Sequence, residues 1–181
     1  MAVGRPLPEV PDAPETLVQA VAARLRLWPD GELWTCDEAG QPLGAGYGRI
    51  WRRSRAIAAG LQARKVEPGR IVALMTGDAL EFAAGYWACL QAGCVILPLT
   101  RRARHGAAEA LIQILSRVTE PLLLADTASQ ALAGEVGRGL DLVVMTLAEL
   151  ELVAPAGAPD PAGPPRESPA CLLPTSGSTG Q

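Results

Sequence analysis

Apolar runs that lack regular polar alternation recur along the chain from residue 71 onward. Each run is five to seven residues long, which is typical of a strand buried on both faces of a parallel sheet. These predicted strands are residues 71–75, 94–99, 121–125 and 140–146. A shorter apolar run at residues 170–173 predicts one further strand.

Segments with helical spacing of apolar residues separate these strands. Asp78 followed by Glu81 predicts a capping box at the start of one of them, and Gly93 predicts its end. The predicted helices are residues 16–27, 47–64, 78–92, 107–118, 129–134 and 147–153. This alternation predicts an α/β fold, with a mostly parallel sheet covered by helices on both faces.

The segments outside this alternation are predicted to be a hairpin, a loop and a flexible start. Residues 32–36 and the region around Leu43 predict a short hairpin whose turn is residues 37–41. Six prolines between residues 154 and 169 predict a surface loop or linker. We therefore expect a flexible segment at residues 1–15, followed by a single α/β subdomain at residues 16–181.

Composition narrows the class of partner and compartment. The 181 residues are 49% hydrophobic and 19% charged, and the net charge of −3 argues against nucleic acid or a membrane surface as partner. No apolar run approaches the roughly 20 residues that span a bilayer. The start of the chain lacks the apolar stretch of a signal peptide. We expect a cytoplasmic protein, with the arginines at 52, 53 and 55 on a solvated helix face.

Neither metal binding nor dinucleotide binding is supported by the motifs. The cysteines show no paired ligand spacing, and with one histidine they predict no zinc site. They are expected to be reduced core residues: Cys36, Cys89, Cys94 and Cys171. The glycines at 44, 46 and 48 have the wrong spacing for a dinucleotide fingerprint and follow no parallel strand.

The strongest chemical signal follows the last predicted strand, where hydroxyl residues alternate with glycines. Backbone N–H groups and hydroxyls together can cradle phosphate, and glycine lets the backbone approach a ligand. The candidate residues are Thr175, Ser176, Gly177, Ser178, Thr179 and Gly180. The pattern is not a Walker A loop, which needs glycine at Thr175 and lysine directly after Gly180. An ordinary surface loop or linker is the alternative.

The string from Thr175 to Gly180 resembles the phosphate loop of the adenylate-forming superfamily, which includes acyl- and aryl-CoA synthetases and peptide-synthetase adenylation domains. Residues 47–61, 66–74 and 81–99 are similar to earlier segments of that family, in the same order. Arg49, Gly77-Asp78 and Thr100-Arg101 depart from the usual family residues. These departures lie in the scaffold rather than in the loop.

This resemblance implies an enzyme that activates a small carboxylic acid with ATP and Mg²⁺. The product is an acyl-adenylate, whose acyl group passes to a thiol of coenzyme A or of carrier-protein phosphopantetheine. The family's catalytic and metal-binding residues have no counterpart here, so we assign no catalytic or metal ligand. The resemblance implies an N-terminal fragment that needs the C-terminal part of the ligase and is inactive alone. Two alternatives are a noncatalytic relic serving as an interaction module, and an unrelated nucleotide-binding α/β domain.

Overall fold

A computed structural model describes residues 14–37, 39–100, 106–155, 163–164 and 167–173. The helices are α1 Leu17–Leu27, α2 Tyr47–Ala63, α3 Ala79–Gln91, α4 Ala107–Leu115, α5 Gln130–Leu140 and α6 Leu147–Val153. The strands are β1 Glu32–Cys36, β2 Pro42–Gly46, β3 Ile71–Thr76, β4 Val95–Thr100, β5 Leu122–Ala125 and β6 Val144–Thr146. A single 3₁₀ turn, Thr127–Ser129, leads into α5.

Strands β3, β4, β5 and β6 form one parallel sheet, in the order β4-β3-β5-β6. The central strand β3 pairs on both sides, so that Leu74 lies between Pro98 and Leu124. Strands β1 and β2 form a separate antiparallel hairpin. The predicted α/β fold, with its parallel sheet and its hairpin, is therefore confirmed.

Helices cover both faces of the sheet, and alternate residues of each strand belong to two separate cores. Val72 and Leu74 of β3 pack with α2, α3 and α6, whereas Ala73 and Met75 pack with α4 and α5. All four side chains are fully buried. This two-sided burial explains why the strands contain almost no polar residue.

Three helix-to-strand turns share one backbone geometry, in which the residue after the helix adopts a left-handed conformation. These residues are Lys65, Gly93 and Asp141, with φ of 57°, 75° and 53°. In each turn the next residue donates its N–H to a carbonyl five positions back, at 2.9–3.0 Å. This is the Schellman arrangement, which usually selects glycine. Of the three, only Gly93 was identified from the sequence as the residue that ends a helix, because lysine and aspartate carry no such signal.

Helix α5 corrects the prediction for this part of the chain. The sequence predicted a short helix ending at Gly134 and a strand from residue 140, but the helix continues to Leu140 and β6 begins at Val144. Glycine disfavours helix interiors, which explains the prediction. Gly137 is needed for packing, since a Cβ there would lie 2.4 Å from Cγ2 of Val144.

Arg53 is only partly exposed to solvent, whereas the sequence predicted a solvated helix face. Its guanidinium on α2 forms salt bridges with Glu81 of α3 and Glu151 of α6. The side chain of Arg53 is 31% exposed and those of both glutamates are 29% exposed.

The predicted capping box at the start of α3 is half correct: Asp78 accepts hydrogen bonds from the N–H groups of Leu80 and Glu81. The carboxylate of Glu81 accepts hydrogen bonds from the guanidinium of Arg53. The hydrogen bonds from Arg53 to Glu81 and Glu151 raise the pKa of that guanidinium.

The contact between α2 and α6 depends on the absence of a side chain at Gly60. A Cβ at this position would lie 2.2 Å from the carbonyl oxygen of Leu150. We expect Gly60→Ala to lower the free energy of unfolding by about 2 kcal/mol or more, because backbone cannot move aside as a flexible side chain can. Urea unfolding measures the change.

Gly134→Ala in α5 is the matched control. The nearest atom to its added Cβ is Nη1 of Arg138 at 3.6 Å, which is ordinary contact. This variant should gain stability by about 0.5–1 kcal/mol through helix propensity. Equal effects of the two substitutions would contradict the close packing at Gly60.

We expect Arg53→Met to lower the free energy of unfolding by ~1–2 kcal/mol, because it leaves two half-buried carboxylates facing each other. Arg70→Met tests an exposed ion pair, in which Arg70 lies 3.4 Å from Glu120. That change should cost at most ~0.5 kcal/mol. Thermal unfolding of both variants distinguishes them, and a similar small shift for both would refute the linking role of Arg53.

Candidate functional site

The predicted phosphate-loop residues, from Thr175 to Gly180, lie outside the described residues. The structure does describe the strand segment that leads to them. At Cys171 the chain runs parallel to β4 and pairs with Ile96. The N–H of Ile96 donates to Ala170 at 3.0 Å, and the N–H of Leu172 donates to Ile96 at 2.7 Å. The predicted strand at residues 170–173 is therefore present as a single bridge on the free side of β4.

Two prolines explain why this pairing is so short. In a parallel ladder, the next two hydrogen bonds would require the N–H groups of Pro98 and Pro174. Proline has no backbone N–H, so neither bond can form. Within the described residues, the hydrogen bonds between this segment and β4 are therefore the two made with Ile96.

The direction of this segment is set by the sheet. Because the chain at Cys171 runs parallel to β4, it continues through Leu173 toward the edge where β3, β4, β5 and β6 all end. Ligands of open α/β sheets bind beyond this carboxyl edge. The segment that precedes the hydroxyl and glycine motif thus has the orientation that a ligand-binding loop requires.

A buried carboxylate lies at the same edge of the sheet, at the end of β5, which is two strands away from β4. Asp126 follows β5, is 3% exposed, and accepts the N–H of Gly77 at 2.7 Å and that of Ser129 at 2.8 Å. Gly77 follows β3, so this side chain joins the turns after two adjacent strands. The connections of these strands lead to α3 and α5, which cover opposite faces. Sequence reasoning did not single out Asp126, although a carboxylate after a buried strand is a usable signal.

The cysteines differ from one another in exposure. All four are free thiols, and Cys89 and Cys94 are buried as predicted. Burial raises the pKa of Cys94 to about 11, and burial also raises the pKa of Cys89 well above its usual value. Cys171 is partly buried, and burial raises its pKa as well. Cys36 corrects the prediction of a core residue, because it lies on the exposed side of the two-stranded hairpin.

The described ranges contain neither a cluster of metal ligands nor a helix that could span a membrane. Within them, no group of three or more His, Cys, Asp or Glu residues is arranged to hold a metal ion. None of the helices in this part of the chain is both long and apolar enough to cross a membrane.

Several solved structures share this fold. McyG A-PCP complexed with phenylalanyl-adenylate has a TM-score of 0.78 and 22% identity, over 90% of this chain and 26% of that chain. A fatty acyl-adenylate ligase from L. pneumophila, in complex with acyl adenylate and pyrophosphate, has a TM-score of 0.76 and 24% identity. That match covers 91% of this chain and 29% of the other.

A third structure extends the range of substrates among these similar folds. The adenylation domain of a keto acid-selecting peptide-synthetase module, bound to keto acyl adenylate, has a TM-score of 0.74 and 17% identity. It is matched over 91% of this chain and 30% of its own length. The chain thus spans between a quarter and a third of each of these proteins.

The family assignment comes from the sequence. No curated protein matches the chain. A family model described as AMP-binding enzyme matches residues 43–181, which include the hydroxyl and glycine motif. This match confirms the resemblance drawn from the motifs, and because it spans most of the chain, the protein belongs to the AMP-binding enzyme family.

Proposed function

We propose that this chain supplies the phosphate-binding N-terminal subdomain, residues 16–181, of a ligase that activates a carboxylic acid with ATP. The observation that supports the proposal is the parallel pairing of Cys171 with Ile96, because the chain there runs toward the carboxyl edge shortly before the motif in sequence. Family membership supports an AMP-forming reaction. The fold is shared with proteins solved with phenylalanyl-adenylate and with acyl adenylate and pyrophosphate.

The register supports the position of the loop. Cys171 is opposite Ile96, so continued parallel alignment would bring Thr175 level with Thr100, the last residue of β4. The motif then begins where the sheet ends. Backbone N–H groups at this edge can point at a bound anion without competing for partners within the sheet.

The proposed chemistry is a displacement at phosphorus. A carboxylate oxygen of the acid attacks the α-phosphorus of ATP, the bond to the bridging oxygen breaks, and pyrophosphate leaves with its negative charge. N–H groups and hydroxyls of Thr175, Ser176, Ser178 and Thr179 hold the β- and γ-phosphates, while Gly177 and Gly180 permit close approach. A thiol, of coenzyme A or of carrier-protein phosphopantetheine, then attacks the acyl carbon and AMP leaves.

The remaining parts of the reaction belong to other residues of the ligase. Mg²⁺ accompanies ATP in this chemistry, but the described residues contain no cluster suited to hold it, so we assign it no step here. The acid pocket and the acceptor site are also proposed to lie in the C-terminal part of the ligase. Such a reaction with soluble substrates fits a cytoplasmic enzyme.

In a ligase that contains this chain, we expect the double variant Ser178→Ala/Thr179→Ala to slow adenylation on the order of 10²-fold. The reason is the loss of preorganised donors to the charge that develops on the leaving pyrophosphate. Acid-dependent exchange of labelled pyrophosphate into ATP measures the rate. Ser116→Ala is the control, because its hydroxyl is exposed and donates to the carbonyl oxygen of Gln113 in α4.

Unchanged exchange in the double variant, with normal folding, would show that this loop does not bind the phosphates. Equal slowing by Ser116→Ala would indicate a general effect on the fold instead. The proposal requires the loss to be specific to the loop.

A further inference from the structure

Six of the seven aromatic side chains in the sequence lie together between α1, α2 and α3. Ring contacts join Trp28 to Tyr47 at 6.2 Å and Trp51 to Trp87 at 6.0 Å between centroids. Tyr86 and Phe82 continue the contacts along α3. The aromatic side chains of α2 and α3 pack against one core of the sheet, whereas the core on the opposite face consists of aliphatic residues.

These rings enclose a half-open cavity of about 280 Å³, which we call the aromatic groove. Its lining includes Val21, Arg24, Trp28, Tyr47, Trp51 and Trp87. Trp28 is 49% exposed although it forms part of the wall. Flat rings around an open apolar groove are the surface that proline-rich segments recognise.

The turn of α1 next to the aromatic groove is covered by the proline-rich loop. Val18 belongs to the same apolar stripe as Val21, and it is only 4% exposed. Gly163, within the proline-rich loop, packs so closely that a Cβ there would lie 3.3 Å from the side chain of Val18. One turn further along, the stripe opens into the aromatic groove.

Arg24 adds a charge preference at the rim. Its guanidinium lies 4.8 Å from the ring centroid of Trp28, which is a cation–π distance. Within the described part of the chain this side chain forms no salt bridge. A fitting occupant therefore combines an apolar, proline-rich backbone with a carboxylate.

The start of this chain has that chemistry. Residues 5–11 read Arg-Pro-Leu-Pro-Glu-Val-Pro, with one carboxylate at Glu9 between prolines. The spacing also fits: Arg24 lies about 11 Å along the helix axis from Leu17. The seven residues from Thr16 back to Glu9 span about 22 Å in a polyproline conformation, which is enough to reverse direction and run beside α1.

We propose that residues 5–11 of this chain occupy the aromatic groove, with prolines stacked on Trp28 and Trp51 and with Glu9 paired to Arg24. The segment acts as a strap that fixes α1 onto α2 and α3. A second copy of the chain or another protein would be a different occupant, and the experiment below separates these cases.

The test uses ¹⁹F NMR of the full chain labelled with 5-fluorotryptophan, which gives one resonance for each of the four tryptophans. Removing residues 1–12 should shift the resonances of Trp28 and Trp51. Trp34 lies on the separate hairpin, is 63% exposed, and serves as the internal control for folding. A synthetic peptide of residues 1–12 should restore the shifted resonances in a saturable manner.

A charge exchange tests the pairing itself. Glu9→Arg and Arg24→Glu should each weaken docking, seen as shifts toward the truncated spectrum, and the double variant should restore the original positions. A peptide with serine in place of its prolines should bind at least tenfold more weakly. Unchanged resonances after truncation would overturn the proposal, as would a double variant that fails to restore them. Shifts that depend on protein concentration would assign the groove to a second copy and overturn it too.

Discussion

The structure depends on the burial of a parallel sheet on both faces. The central strand β3 has no exposed side chain between Val72 and Met75, so its two neighbours and both helical layers must be in place for it to be stable. Parallel pairing also brings all strand ends to one edge. The same constraint therefore sets the core and directs the chain at Cys171 toward the edge where ligands bind.

Two sets of hydrogen bonds hold the backbone at that edge. The carboxylate of Asp126 holds the turns after β3 and β5 through the N–H groups of Gly77 and Ser129. Within the described residues, the last segment is hydrogen-bonded to β4 through Ile96, since Pro98 and Pro174 have no N–H groups to extend the ladder. The segment that leads to the predicted phosphate loop is thus fixed to the sheet at Ile96.

Periodicity predicted the sheet, the hairpin and most helices, because burial on two faces leaves a plain apolar pattern. It failed where tertiary contacts override local preference. The end of α5 was missed because Asp141 occupies a conformation that usually selects glycine, and because Gly137 serves packing. The role of Arg53 was missed because its partners are distant in sequence. The phosphate-loop residues remain a prediction from side-chain chemistry and family membership.

We propose that residues 1–181 contribute phosphate binding to a larger catalytic unit. The most direct test is acid-dependent exchange of pyrophosphate into ATP by residues 1–181 alone, compared with a complete ligase that contains them. The account predicts no exchange by the chain alone and measurable exchange by the ligase. Exchange catalysed by residues 1–181 without the remainder would contradict it.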